Sequence, residues 1–151
     1  MIALGCDSSG MEFIKRFCLY LDNVGIEFKI FTQGSKKGED YNDAALAVAN
    51  SVASKECELG VLVCGTGIGM SIMANKVKGI RAAVCNDTFS AEMTRRHNDA
   101  NILCLGARVL GEELALKILI EFLKHDFDDR TNPEGRHYRR VHKILKQEEN
   151  F

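Results

Sequence analysis

The chain has 151 residues, 46% of them apolar and 27% charged, which is the make-up of an ordinary globular domain with one sizeable core. Twenty basic residues against 21 acidic ones leave a net charge of -1, without the positive excess that a general nucleic-acid or membrane-surface binder needs. One Pro and 13 Gly exclude a collagen-like or Pro-rich chain, no apolar run nears the roughly 20 residues of a membrane span, and MIALGCDSSG lacks the basic and apolar regions of a secretory signal.

Five short apolar runs read as strands: Ile2–Cys6, Ile26–Phe31, Leu59–Cys64, Ile80–Cys85 and Ile102–Leu105. Between them lie segments with helical spacing. In Met11–Val24, Ile14, Phe17, Cys18 and Leu21 fall on one stripe. Asp43–Ser54 is rich in Ala and Val, which suits close packing on a sheet. A helical segment reaches Val77, and Thr88–Asn98, Glu112–Lys124 and Tyr138–Glu148 complete the set. Strand and helix alternate, so the expected fold is α/β: a three-layer, Rossmann-like arrangement with a five-stranded parallel sheet and a docked C-terminal helix. Residues 1–151 read as a single domain. His125–Gly135, with Pro133, marks a loop before the last helix.

The six cysteines form no CxxC and no Cys/His set at zinc-ligand spacing, so they read as small core residues in a reducing, cytoplasmic setting, and no metal is expected.

In such sheets ligands bind beyond the carboxyl ends of the strands. The most informative stretch there is Val63-Cys-Gly-Thr-Gly-Ile-Gly-Met-Ser71, where Gly65, Gly67 and Gly69 separate a strand from a helix. Alternating glycines aim backbone N–H groups at a ligand, and the helix adds its positive end. A thiol at the lip of that nest, Cys64, is favoured as thiolate. The bland alternative is a tight turn beside a core cysteine. A dinucleotide fingerprint fits poorly, because the third glycine comes one residue early, although Asp87 stands where a ribose-binding acid would fall. A P-loop lacks its Gly-Lys-Ser/Thr.

Arg95-Arg96-His97-Asn98-Asp99 offers an imidazole for proton transfer, or simply a solvated helix end. Arg136 and Arg140, four apart, suit a two-pronged grip on one phosphate or a plain basic face. Asp7 either accepts a substrate hydroxyl or caps the next helix. Tyr41 either lines a pocket or covers the core.

Together GCD, DY, CGTGIGMSIMANKVKGIRAAVC, RRHNDANIL, GARVLG and GRHYRR resemble the B-type ribose-5-phosphate isomerase family, which includes galactose- and allose-6-phosphate isomerases. The resemblance spans nearly the whole chain. It implies aldose–ketose isomerisation of ribose 5-phosphate and ribulose 5-phosphate through an enediolate, with no metal and no organic cofactor. It implies Cys64 as the base, since the Glu that replaces it in some members is absent from Gly69-Met70-Ser71. It further implies Thr66 and the Gly65, Gly67, Ile68 and Gly69 amides as holders of the enediolate oxygens, and His97 as the ring-opening acid/base, with Asp7 as a further catalytic residue on the same hydroxyls. Asp7, Ser8, Tyr41 and Asn98 would contact the substrate, and Arg108, Arg136 and Arg140 its phosphate. Family sites are shared across a homodimer, with His97, Asn98 and the C-terminal arginines coming from the neighbouring subunit and pairing into a tetramer as a further option.

Three departures bear on the substrate. Ser8 stands where the family's pentose isomerases carry His, Asn42 stands where they carry Pro, and the loop before Gly135 is longer. The alternative they raise is another phosphosugar (allose 6-phosphate, galactose 6-phosphate or a tetrose phosphate); the Gly-rich turn taken alone also suits a non-catalytic sugar-phosphate sensor.

Overall fold

A computed structural model describes residues 1–32 and 40–150. The elements in chain order are β1 (Ile2–Cys6), a 3-10 turn (Ser8–Gly10), α1 (Met11–Asn23), β2 (Phe28–Thr32), α2 (Tyr41–Ala53), β3 (Leu59–Cys64), α3 (Ile68–Ala74), β4 (Ala82–Val84), α4 (Thr88–Asn98), β5 (Ile102–Gly106), α5 (Glu112–Lys124), α6 (Arg136–Gln147) and a closing 3-10 turn (Glu148–Asn150). The strands form one parallel sheet in the order β2-β1-β3-β5-β4. Most of the loop expected to follow the second strand, residues 33–39, lies outside the described residues.

Alternation along the central strands sends side chains into two separate cores. Leu4, Val61, Val63, Leu103 and Leu105 meet Phe13, Phe17 and Leu21 of α1 and Ile118, Leu119 and Phe122 of α5. On the other face Leu62, Cys64, Ile102 and Cys104 meet Ala45, Val48 and Ala49 of α2 and Met70 of α3. Every residue of β1, β3 and β5 is buried, as expected for a sheet covered on both sides. β4, at the edge, is only half-buried.

Of the boundaries that differ from the sequence expectation, three do so for identifiable reasons. The fourth strand begins at Ala82 rather than Ile80, because Asn101 Oδ1 accepts from the Arg81 amide and Asn75 brackets Ala82. α2 begins two residues earlier, at Tyr41, with the Asp40 amide donating to Asp43 Oδ2 over 3.0 Å. α6 begins at Arg136 because Asp129, from the preceding loop, accepts from the His137 and Tyr138 amides.

Candidate active site

The loop after β3 packs against the end of β5. The amides of Ala107 and Arg108 donate to the carbonyls of Cys64 and Gly65 over 2.8 and 3.0 Å. Gly67 caps α3 with φ +77°, and a Cβ there would stand 3.0 Å from the Leu105 backbone. The contact is reciprocal: a Cβ on Gly106 would stand 2.9 Å from the Thr66 backbone. Side chains are excluded at both positions, so the loop closes onto β5 backbone to backbone.

That closure shapes the surroundings of Cys64. Its side chain is buried at 6% exposure, and the Gly67 amide donates to its Sγ over 3.2 Å. The Ile68 amide donates to Thr66 Oγ1 over 3.3 Å. Burial pushes the Cys6 and Cys85 thiols up to about 12, and the Cys104 thiol is also raised by burial. These are inert packing groups.

Four further predicted residues stand around this loop. The Asp7 amide donates to the Val63 carbonyl over 3.2 Å, which sets the end of β1 beside the end of β3. Asp7 Oδ1 accepts from the Ser9 amide and hydroxyl over 2.9 and 2.5 Å, so the carboxylate does cap the following turn, and Ser8 between them is exposed. Tyr41 lays its ring over Gly69, where a Cβ would come within 2.8 Å of it. The Arg108 side chain runs past Gly65, 3.5 Å from where a Cβ would be.

The remaining predicted residues lie elsewhere in the same chain. His97 and Asn98 end α4, next to Asn101, whose carbonyl receives the Gly60 amide at the opposite end of the sheet from Cys64. The five residues of β5 separate the two places, ~16 Å at about 3.3 Å per residue. At that far end the His97 ring stacks on His137 at 4.1 Å between centroids, with 4° between planes. Arg136 Nε donates to His137 Nε2 over 3.1 Å. Arg136 and Arg140 are exposed, one turn apart at the start of α6. Burial, then His97 and Arg136, hold the His137 ring below the ordinary histidine range.

This second group is braced from behind. Arg95 is 4% exposed and donates to the Ala100 and His125 carbonyls over 2.6 and 3.1 Å, with its guanidinium over the Phe122 ring. Arg96 grips Asp128 with two bonds of 2.9 and 3.1 Å, and that bond holds the Asp128 carboxyl below its usual range. Sequence reasoning missed His137, Arg95 and Asp129. His137 sits between arginines and reads as part of a basic face, and only its partner across the fold reveals it.

Asp87 caps α4, accepting from the Ser90 amide over 2.7 Å. Glu92, Glu121 and His125 bring ligand atoms within 4.8 Å of one another, but Arg96 already holds Glu92 over 2.7 Å and His125 meets Glu121 over 3.0 Å.

The class of protein defined here is a doubly wound α/β sheet with a glycine nest at its carboxyl edge, the edge at which such sheets bind ligands. The match to known proteins is narrower: residues 2–144 fit the Ribose/Galactose Isomerase family, to which the chain belongs, and its members are isomerase enzymes. The chain is 41% identical over 143 residues to ribose-5-phosphate isomerase B of Escherichia coli (strain K12), covering 95% of this chain and 93% of that one. It is 41% identical over 129 residues to D-erythrulose-4-phosphate isomerase of Pectobacterium atrosepticum, covering 84% of each. Its fold matches ribose-5-phosphate isomerase B of Clostridium thermocellum with a TM-score of 0.92 and 45% identity over 99% of this chain and 97% of that one. Among the described residues no helix is long and apolar enough to cross a membrane.

Proposed function

We propose that this protein is an aldose–ketose isomerase that interconverts ribose 5-phosphate and ribulose 5-phosphate in the cytoplasm, acting as a single-domain homodimer. His97 opens the furanose by moving a proton between the ring oxygen and the C1 hydroxyl. Cys64, as thiolate, takes the proton from C2 and returns it to C1, and the electron pair passes through an enediolate while the hydroxyl proton shifts from O2 to O1. Thr66 and the amides from Gly65 to Gly69 hold the developing oxyanion, a role in which one donor is worth about 3 kcal/mol. Asp7, Ser8, Tyr41 and Asn98 position the sugar hydroxyls, and Arg108, Arg136 and Arg140 take the phosphate.

The observation that carries this reading is the Gly67 amide on the Cys64 sulfur at the mouth of a glycine nest. The separation of the two residue groups supports the dimer. One chain holds the base at one end of β5 and the imidazole at the other, so a complete site needs a second copy. Ile68 and Ile72, one turn apart on α3 beside the nest, are 55% and 57% exposed and offer that copy an apolar contact.

The test is turnover of ribose 5-phosphate in deuterated water, with label expected on C1 of the ketose. Absence of both label and ketose with every pentose, tetrose and hexose phosphate would leave only a sensor. Subunit sharing is tested by refolding a mixture of the Cys64→Ser and His97→Asn variants. Random pairing restores about a quarter of the wild-type sites if the site is shared, and none if it is not.

One observation favours a second reading. Ser8 is exposed beside the nest and carries no positive charge, and a relative named for a tetrose phosphate is as similar as one named for ribose 5-phosphate. Ranking kcat/KM across four-, five- and six-carbon phosphosugars decides between them.

A further inference from the structure

His137 has no assigned part in the chemistry above, yet it is the buried residue in the first turn of α6. It is 8% exposed, its backbone amide donates to Asp129 Oδ2 over 2.8 Å, and its ring lies flat on His97. Its Nε2 accepts from Arg136 Nε, which is always protonated, so that nitrogen carries no proton and the ring is neutral. One ring therefore touches two residues given different tasks.

We infer that His137 is a positioning residue that orients both the His97 imidazole and the Arg136 guanidinium. The inference rests on the roles proposed for those two residues. The parallel stack fixes the tilt of His97, whose terminal ring torsion is otherwise soft. The hydrogen bond engages Nε of Arg136 and leaves its two terminal nitrogens as a fork for a phosphate. Asp129 ties the assembly to the loop before α6. The charged groups facing His137 are His97 on α4, Asp128 (itself 4.0 Å from His97 Nε2) and Asp129 in the loop, and Arg136 and Arg140 on its own helix. Their balance opposes a proton on the ring, and a protonated ring would release Arg136.

Two variants separate the two contacts. H137F keeps a flat ring against His97 but offers Arg136 no acceptor, so KM for the phosphosugar rises about 5-fold to 10-fold while kcat stays within about twofold. H137Q keeps an acceptor but no ring, so kcat for aldose consumption falls about 10-fold with a smaller change in KM. Solvent deuterium exchange at C1 of ribulose 5-phosphate, an open-chain ketose that needs no ring opening, stays within about twofold of wild type in H137Q. A merely structural role would depress exchange and turnover together.

If both variants melt like wild type and leave kcat and KM unchanged, or if exchange falls in step with turnover in H137Q, the inference is overturned. A wild type without turnover on any phosphosugar sinks the isomerase reading instead. The geometry is then decided by proton NMR of the histidine rings. In H97N, His137 titrates closer to the ordinary histidine range; an unchanged titration overturns the pairing.

Discussion

The Gly67 amide donates a hydrogen bond to the sulfur of Cys64, and Gly67 reaches that position only through a left-handed turn seated on Leu105. The base and the donors proposed for the oxyanion are thus parts of one short loop. Cys64→Ser keeps the size and the hydrogen bond but supplies a far weaker base. We expect kcat to fall by about 10³-fold with KM within about threefold, read by single-turnover kinetics.

The turn itself is open to a stability test. Gly67→Ala places a Cβ 3.0 Å from the Leu105 backbone at φ +77°. The left-handed conformation alone costs an L-residue roughly 1–2 kcal/mol. With the close contact added, the expected loss is about 2 kcal/mol, seen as a lower urea midpoint with an unchanged slope. Gly106→Ala meets Thr66 from the other side at 2.9 Å and gives a loss of similar size.

Arg136 and Arg140 are exposed and one turn apart. Replacing both with Ala should lower kcat/KM for phosphorylated substrates by about 10²-fold or more, mostly through KM, since each charge-assisted bond is worth roughly 1.5–3 kcal/mol. The fold stability of an exposed pair should scarcely change. A double variant that binds phosphosugars normally would remove both arginines from the phosphate site.

The pH dependence has a definite sign. Folding lowers the proton affinity of His137, through burial first and then through His97 and Arg136. Above the unfolded histidine value of about 6.5 both states are neutral there and stability is full. As pH falls through that value the unfolded chain takes up a proton that the folded chain resists, so stability declines. Thermal melts at pH 7.5 and 5.5 should show this decline in wild type and a smaller one in H137Q. Asp128, held low by Arg96, adds a further loss only in the carboxylate range near pH 4.

Much of this was legible from the chain because the relevant signals are local. The run into Cys64 and the glycines after it announce a strand, a tight loop and a helix start within a dozen residues. The stripe of Ile14, Phe17 and Leu21 likewise announces a helix and its buried face. What was illegible depends on partners far away in sequence. Asp129 caps α6 from outside the helix, Asn101 clips the start of β4, and the ring of His137 finds His97 forty residues upstream. No spacing rule encodes such meetings, because the intervening fold creates them. The neighbours of β5 were equally hidden, since five similar apolar runs do not say which pair side by side.

That strand order has a consequence for how the chain is made. β5 leaves the ribosome after both of its neighbours and must slide into a slot between them. Until it arrives, β3 keeps one bare flank of backbone donors and acceptors, which invites pairing with another nascent chain. Synthesis halted before Ile102 would therefore leave a sticky fragment rather than a smaller working protein.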